Sequence, residues 1–260
     1  MLWIKSAQFI LFTVLLFLTP CKALAGELII SAAASLSDAL GEIGKAFNSK
    51  HPLDRLFFNW GASGTLMRQI EQGAPADLFI SASPYEMNEL ELKNLIVNQT
   101  RRDLLKNEVV LIIPAGSGRS FKSFRDLNDP SIKRIAVGDP EFVPCGRYTR
   151  QILVHLGLWE SLKPRMIFGA DVRQVLEYVL RGEVDAGVVF ATDAAMGNGE
   201  VKVAAMAPEN THEPVVYPAA VIKGTKNAKL AGEWMDFMAG PEGTALFKKY
   251  HFKTIEKRNP

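Results

Sequence analysis

Short apolar runs alternate with segments of helical periodicity along most of this 260-residue chain, and the alternation limits the folds open to it. Strands that alternate with helices are typical of α/β proteins, because each helix covers one face of a sheet and returns the chain to the same edge. The pattern therefore predicts an α/β fold with largely parallel sheets. The predicted strands span residues 27–31, 56–60, 78–81, 109–114, 135–138, 186–190 and 215–222. Helices are predicted at 172–180, 230–238 and 242–250, the first two ending at glycines.

The first 25 residues have the pattern of a secretory signal peptide. A positively charged start precedes an apolar run that is short for a membrane span, and Ala23-Leu24-Ala25 forms an A-x-A cleavage pattern. We predict export to the periplasm with cleavage after Ala25. A lipid anchor at Cys21 is the less favoured alternative, because Pro20 directly before the cysteine fits a lipoprotein signal poorly.

Composition excludes some partners of the exported chain. Without residues 1–25 the chain has 28 basic and 28 acidic residues, so bulk charge does not favour nucleic acid or an acidic membrane surface as a partner. Cys145 is then the only cysteine, and no disulfide can form within a monomer, the expected state. The remaining length suffices for two lobes with separate cores.

Two extended segments have the character of crossings between lobes. One covers residues 105–108, and the other covers 213–218, where two prolines bracket an extended stretch. They predict a first lobe of residues 26–107 plus 218–260 and a second lobe of residues 108–217. Two lobes joined in this way form a cleft that can close around a small ligand.

Five predicted strand ends pass directly into a helix. Ser35 and Ser63 stand at two of them in the first lobe, and residues 138–148, 168–173 and 188–193 form three in the second. Ligands of open α/β sheets bind at the carboxyl ends of strands, and a helix start offers free N–H groups and a positive dipole end. The five junctions can therefore converge on one cleft, although each serine, taken alone, is more simply a helix cap.

The junctions offer hydroxyl and amide donors but no charged side chain obviously aimed at a ligand. Asp171 is the predicted N-cap of the helix that starts at Val172, and Gly146 is expected to let the backbone approach a ligand closely. The Cys145 N–H is expected near the start of its helix. Donors alone suit a fully ionised oxyanion, because a protonated anion would also require an acceptor.

With these junctions the chain resembles the periplasmic molybdate-binding proteins, the receptors of molybdate ABC transporters. The resemblance covers nearly the whole chain after the signal segment and is carried by residues 33–36, 66–79, 136–141, 143–144 and 171–173. It implies a two-lobed type II periplasmic-binding-protein fold that closes like a clamshell, through two crossover strands, around a dehydrated tetrahedral oxyanion. It further implies a membrane permease with its ATPase as partners, and no cofactor.

The resemblance also implies a ligand set that would bind molybdenum as the oxyanion. Ser35 and Ser63 would supply hydroxyls and amides, and Cys145 and Val172 would supply backbone N–H groups. The family has a tyrosine hydroxyl at the position of Phe190 and commonly an alanine at Cys145. Since Phe190 has no hydroxyl, one hydrogen bond to the anion would be lost, at a cost of about 1.5–3 kcal/mol.

Three alternatives remain open. Tungstate is nearly the size of molybdate and is expected to bind as well, whereas sulfate is smaller, so cavity size would decide between them. A hydrolase using Ser63 is another possibility, but Thr65 stands where the G-x-S-x-G motif requires a glycine. The four histidines lack the spacing of a metal site or a metalloprotease helix, and an enzyme is therefore not expected.

Overall fold

The computed structural model describes residues 26–255, so the predicted signal peptide with its cleavage site after Ala25, and Cys21, lie outside the described residues. The strands are β1 (Glu27–Ala33), β2 (Arg55–Gly61), β3 (Leu78–Ile80), β4 (Arg102–Lys106), β5 (Val109–Pro114), β6 (Ile135–Gly138), β7 (Met166–Gly169), β8 (Ala186–Phe190), β9 (Val201–Met206), β10 (Val216–Val221) and β11 (Lys253–Thr254). The helices are α1 (Ser37–Lys50), α2 (Ser63–Glu71), α3 (Pro84–Leu92), α4 (Pro144–His155), α5 (Trp159–Leu162), α6 (Val172–Leu180), α7 (Ala191–Ala195), α8 (Ala228–Ala239) and α9 (Pro241–Lys249). Between Gly26 and Ile255, no helix is long and apolar enough to span a membrane.

The strands form two sheets, one in each lobe. The first has the order β11-β4-β10-β3-β1-β2 and the second the order β7-β6-β8-β5-β9. The chain crosses from β4 to β5 at Asn107-Glu108 and returns from β9 to β10. Since β10 begins at Val216, two residues before the expected boundary at 218, the division into 26–107 plus 218–260 and 108–217 stays a prediction.

The expectation of largely parallel sheets is wrong. Strand β1 pairs parallel with β2 and β3, and β6 pairs parallel with β7 and β8. However, β10 is antiparallel to β3 and β4, β11 is antiparallel to β4, and β5 is antiparallel to β8 and β9. Strands β5 and β10 each follow a crossing, so they enter their sheets from the cleft side and run against their neighbours.

Apolar periodicity explains where most elements form. Strands β5, β6 and β8 have the predicted bounds, since each is a continuous buried apolar run. Strands β4, β9 and β11 were not predicted, because polar residues interrupt their apolar pattern. For β7 only the end, at the junction of residues 168–173, was predicted. Helix α2 buries Leu66 and Ile70 in a cluster with Phe79, Met87 and Leu90, which fixes the position of its first residue, Ser63.

Candidate functional site

Ser63 is the first residue of α2 and is fully buried. Its Oγ accepts a hydrogen bond from the Ala82 N–H at 3.0 Å. The N-cap of α2 is Ala62, without a side-chain capping bond, so Ser63 does not cap its helix. Because the hydroxyl already accepts from Ala82, its proton is left to donate to another group.

Ser35 lies in the 3-10 turn Ala34–Leu36 that joins β1 to α1. Its side chain is buried, and its Oγ is 3.1 Å from the hydroxyl oxygen of Tyr217 on β10. The N-cap of α1 is Leu36, with no capping side chain, so Ser35 is not a cap either. Tyr217 was not predicted as a site residue. Its hydroxyl group within the extended segment 213–218 is the sequence feature that could have indicated it.

Asp171 is the N-cap of α6, as predicted. Its carboxylate accepts the backbone N–H groups of Arg173 at 2.8 Å and Gln174 at 2.9 Å. Val172 is the first residue of the helix, where a backbone N–H has no partner within the helix. The Asp171 side chain therefore leaves the Val172 N–H available to a ligand.

Cys145 is the second residue of α4, so its N–H also lacks a partner within the helix. The buried thiol lies 3.7 Å from the Val188 carbonyl, to which it donates, and burial, with a smaller effect of Asp193, raises the pKa of Cys145 well above its usual range. Gly146 has a packing role within its own lobe, and its predicted approach to a ligand stays a prediction. A Cβ on Gly146 would lie 2.0 Å from the Gly138 carbonyl oxygen, so the glycine permits contact between α4 and β6.

Phe190 ends β8 and is buried between two tyrosine rings. Its ring centroid is 6.3 Å from that of Tyr148 and 5.9 Å from that of Tyr217. The hydroxyl of Thr192, two residues further along, accepts a hydrogen bond from Asn107 Nδ2 at 2.9 Å.

Four of the five predicted junctions meet around one small cavity between the lobes. Residues 33–35, 61–63, 82, 143–144 and 171–172 line it, and the space open to the centre of a water molecule is about 10 Å³. Ser35, Ser63 and Val172 are among the lining residues. Neither Cys145 nor Phe190 lines the cavity, although Cys145 directly follows Pro144, which does.

The two lobes touch beside this cavity. The Gly64 N–H donates to the Phe142 carbonyl at 2.9 Å, and the Arg68 guanidinium lies 4.2 Å from the centroid of the Phe142 ring. A Cβ on Gly64 would lie 2.7 Å from the same carbonyl oxygen, so this contact requires glycine. Sequence reasoning did not predict it, because it depends on how the lobes meet.

Two arginines of the second lobe form ion pairs with the first. Arg147 lies 2.8 Å from the buried carboxylate of Glu86, and Arg173 Nη2 lies 2.7 Å from Asp38. Arg173 also donates to the Ser35 carbonyl at 3.3 Å, and its Nε lies 2.7 Å from Asp193, without hydrogen-bond alignment. Complete burial raises the pKa of Asp193 to about 7, an effect that the neighbouring Arg173 opposes.

Across residues 26–255, no group of three or more His, Cys, Asp or Glu residues has an arrangement that could hold a metal ion.

Two lobes, joined by two crossings and meeting around a small cavity lined by helix starts, form the architecture of a solute-binding protein. The chain belongs to the family of bacterial extracellular solute-binding proteins, which matches residues 28–253. This family consists of transport proteins and not of enzymes, so the hydrolase alternative with Ser63 as nucleophile is wrong.

Several proteins to which the chain is similar are molybdate-binding proteins. The chain is 40% identical over 231 residues to the molybdate-binding protein ModA of Escherichia coli, covering 87% of this chain and 89% of that protein. It is 39% identical over 209 residues to ModA of Haemophilus influenzae, covering 79% and 82%. The solved periplasmic molybdate-binding protein of Azotobacter vinelandii has a TM-score of 0.79 at 24% identity, covering 88% of this chain and all of that one. The structural similarity to the Azotobacter vinelandii protein confirms the predicted two-lobed fold of periplasmic binding proteins.

Proposed function

We propose that this protein captures molybdate, and also tungstate, in the cavity between its lobes and delivers it to an ABC importer. The Escherichia coli and Haemophilus influenzae relatives are molybdate-binding proteins, which supports the choice of oxyanion. Delivery requires a membrane permease and its ATPase as partners. Export of the chain through its predicted signal peptide, with cleavage after Ala25, would place the protein in the periplasm.

The observation that carries the proposal is the set of neutral donors around one cavity. Ser35 and Ser63 bring hydroxyls from the first lobe, and Val172 at the start of α6 brings a backbone N–H group from the second. We include the N–H group of Cys145 because Cys145 directly follows Pro144, which lines the cavity at the start of α4. Within residues 26–255, no lysine, arginine or histidine lines the cavity. Donor dipoles of this kind stabilise a dianion without a cation, provided that the anion carries no proton of its own.

Asp171 is the one acidic residue among the described residues that line the cavity, and its hydrogen bonds make it compatible with an anion. Its carboxylate faces the N–H groups of Arg173 and Gln174, which satisfy its charge within the first turn of α6. Phe190 contributes only a buried ring, so we propose four ligand residues and not five. The missing fifth donor predicts weaker binding than in a site with a tyrosine at this position.

Calorimetry with the purified chain lacking residues 1–25 tests the proposal. We expect one molybdate per protein, with tungstate competing and sulfate much weaker. Replacing both serines (Ser35→Ala and Ser63→Ala) should weaken molybdate binding at least about 100-fold, because two hydrogen bonds to a charged ligand are lost.

Ser81→Ala is the matched control for the serine variant. Ser81 is a buried serine of the same lobe that bonds Glu86 and the Ser83 N–H and does not line the cavity. Its replacement should leave molybdate affinity within about twofold of the parent protein. Equal effects of the two replacements, or heat with sulfate but none with molybdate, would contradict the proposed site or the proposed ligand, respectively.

A further inference from the structure

A continuous chain of side-chain hydrogen bonds ends at the Ser35 hydroxyl. Asn107 Nδ2 lies 3.1 Å from the Tyr217 hydroxyl oxygen, which in turn lies 3.1 Å from Ser35 Oγ. Asn107 stands in one crossing between the lobes, and Tyr217 stands at the start of β10, directly after the other. The chain therefore connects both crossings to a residue that lines the cavity.

The direction of each bond follows from the chemistry of the groups. The Glu108 N–H donates to Asn107 Oδ1 at 2.9 Å, and this bond fixes the orientation of the amide. If the amide were reversed, its NH₂ group would face the Glu108 N–H, and two donors would meet without an acceptor. Asn107 Nδ2 can only donate, so the Tyr217 oxygen accepts. Among the described residues, the remaining neighbour for the tyrosine proton is Ser35 Oγ, which therefore accepts in turn.

Burial keeps this direction fixed over a wide pH range. Tyr217 is completely buried, and this burial, with a smaller contribution from Asp193, raises the pKa of Tyr217 well above its usual range. The phenol thus retains its proton. A Ser35 hydroxyl that accepts from Tyr217 must direct its own proton elsewhere, and Ser35 lines the cavity.

We propose that Tyr217 and Asn107 are positioning residues that make Ser35 a fixed donor toward the bound anion and thereby reject anions that carry a proton. This inference rests on the proposed function, because it assumes that Ser35 contacts the ligand. An O–H group on hydrogen phosphate would meet the Ser35 proton and find no acceptor there. Sulfate and molybdate, which carry no proton at neutral pH, do not meet this obstacle.

The test is the ratio of molybdate to phosphate affinity in Tyr217→Phe. Without the phenol hydroxyl, Ser35 can rotate and accept a proton from the ligand. Molybdate binding should weaken while phosphate displaces molybdate more readily, so the ratio should fall about tenfold or more, as expected for one reoriented hydrogen bond to a charged ligand. A purely structural effect would weaken both anions equally and leave the ratio unchanged.

Tyr148→Phe is the matched control. Tyr148 is also buried and also packs against Phe190, but its hydroxyl donates to the Pro214 carbonyl at 3.4 Å and has no contact with Ser35. The ratio of the two affinities should stay within about twofold of the parent value. A fall in this control equal to that in Tyr217→Phe would overturn the proposal.

A double-variant cycle tests the role of Asn107. Asn107→Ala should lower the affinity ratio in the same direction as Tyr217→Phe, and the two changes together should lower it no further than Tyr217→Phe alone, because Asn107 acts through the tyrosine. Additive effects, or a Tyr217→Phe ratio equal to that of the parent, would overturn the inference.

Anion binding by the parent protein distinguishes a failure of this inference from a failure of the proposed function. If it binds sulfate but not molybdate, the proposed function fails, and the ratio of sulfate to phosphate affinity tests Tyr217 in the same way. If it binds neither anion, both proposals fail.

Discussion

At the scale of single residues, the site depends on where each hydroxyl proton and each N–H group is directed. Ser63 accepts from Ala82, Ser35 shares a hydrogen bond with Tyr217, and Asp171 accepts from the two N–H groups after Val172. Each of these hydrogen bonds satisfies a polar group of the protein that would otherwise compete with a ligand for a hydrogen-bond partner. In the proposed site, the donors would therefore face a cavity that no cationic side chain lines among residues 26–255.

The thiol of Cys145 provides a test at this scale. Because its sulfur faces the Val188 carbonyl and does not line the cavity, Cys145→Ala should keep molybdate affinity within about twofold. The unfolding free energy should fall by about 1 kcal/mol, since a buried sulfur atom is lost. Calorimetry and urea unfolding measure the two quantities. A tenfold change in affinity would show instead that the thiol reaches the ligand.

At the scale of elements, the first turns of α2, α4 and α6 line the cavity. The burial of these helices determines where their first turns lie. Helix α2 is held by Leu66 and Ile70, and α4 approaches β6 closely because Gly146 has no Cβ. The contact of the Gly64 N–H with Phe142 joins α2 to the other lobe. We therefore infer that the contact between the lobes depends on the small residue Gly64 at the start of α2.

Gly64→Ala tests this dependence. The added methyl would lie 2.7 Å from the Phe142 carbonyl oxygen, so the lobes could not reach the same contact. We expect molybdate affinity to fall at least about tenfold, because about 1.4 kcal/mol of lost closure energy corresponds to that factor. The far-ultraviolet circular dichroism spectrum should be unchanged, since the clash lies between lobes and not within one.

Gly41→Ala is the matched control, because Gly41 lies within α1 and a Cβ there meets no atom within 4 Å. This change should raise helix stability by about 0.5–1 kcal/mol and leave affinity unaltered. Equal affinities for the Gly64 and Gly41 variants would contradict the role of the interlobe contact.

At the scale of the whole molecule, two lobes meet through charged contacts on either side of the cavity. Arg147 pairs with Glu86, and Arg173 pairs with Asp38 across the cleft while lying against Asp193 in its own lobe. Glu86 and Asp193 are fully buried acids, so the stability of this structure includes the cost of burying acidic groups.

Asp193 makes the stability of the fold depend on pH. Its pKa is raised from 3.8 to about 7, so the folded protein binds this proton more tightly than the unfolded chain does. The stabilisation is fully present below about pH 4 and is lost as the pH rises through about 7. The unfolding free energy of the parent relative to Asp193→Asn should therefore decrease across this window, as urea titrations at several pH values would measure.

Asp38→Asn is the control for the pH measurement, because Asp38 pairs with the same arginine but is about half exposed. It should retain the pH dependence of the parent protein. A parent protein that instead gains stability over Asp193→Asn as the pH rises would show that the attraction of Arg173 outweighs the burial of the carboxylate.

The sequence by itself determined the apolar segments and the chemistry at their ends. Continuous apolar runs gave the bounds of β5, β6 and β8, and the residues at the strand ends indicated Ser35, Ser63 and Val172, because both signals are local. The cap role of Asp171 was likewise predictable from its position before an amphipathic helix.

Only the tertiary structure decided how these local pieces meet. The antiparallel course of β5 and β10, the contact of Gly64 with Phe142 and the Asn107–Tyr217–Ser35 hydrogen bonds all join residues from distant parts of the chain. Their geometry depends on the packing of two lobes, and no periodicity along the sequence records the direction of a hydrogen bond or the distance between two surfaces.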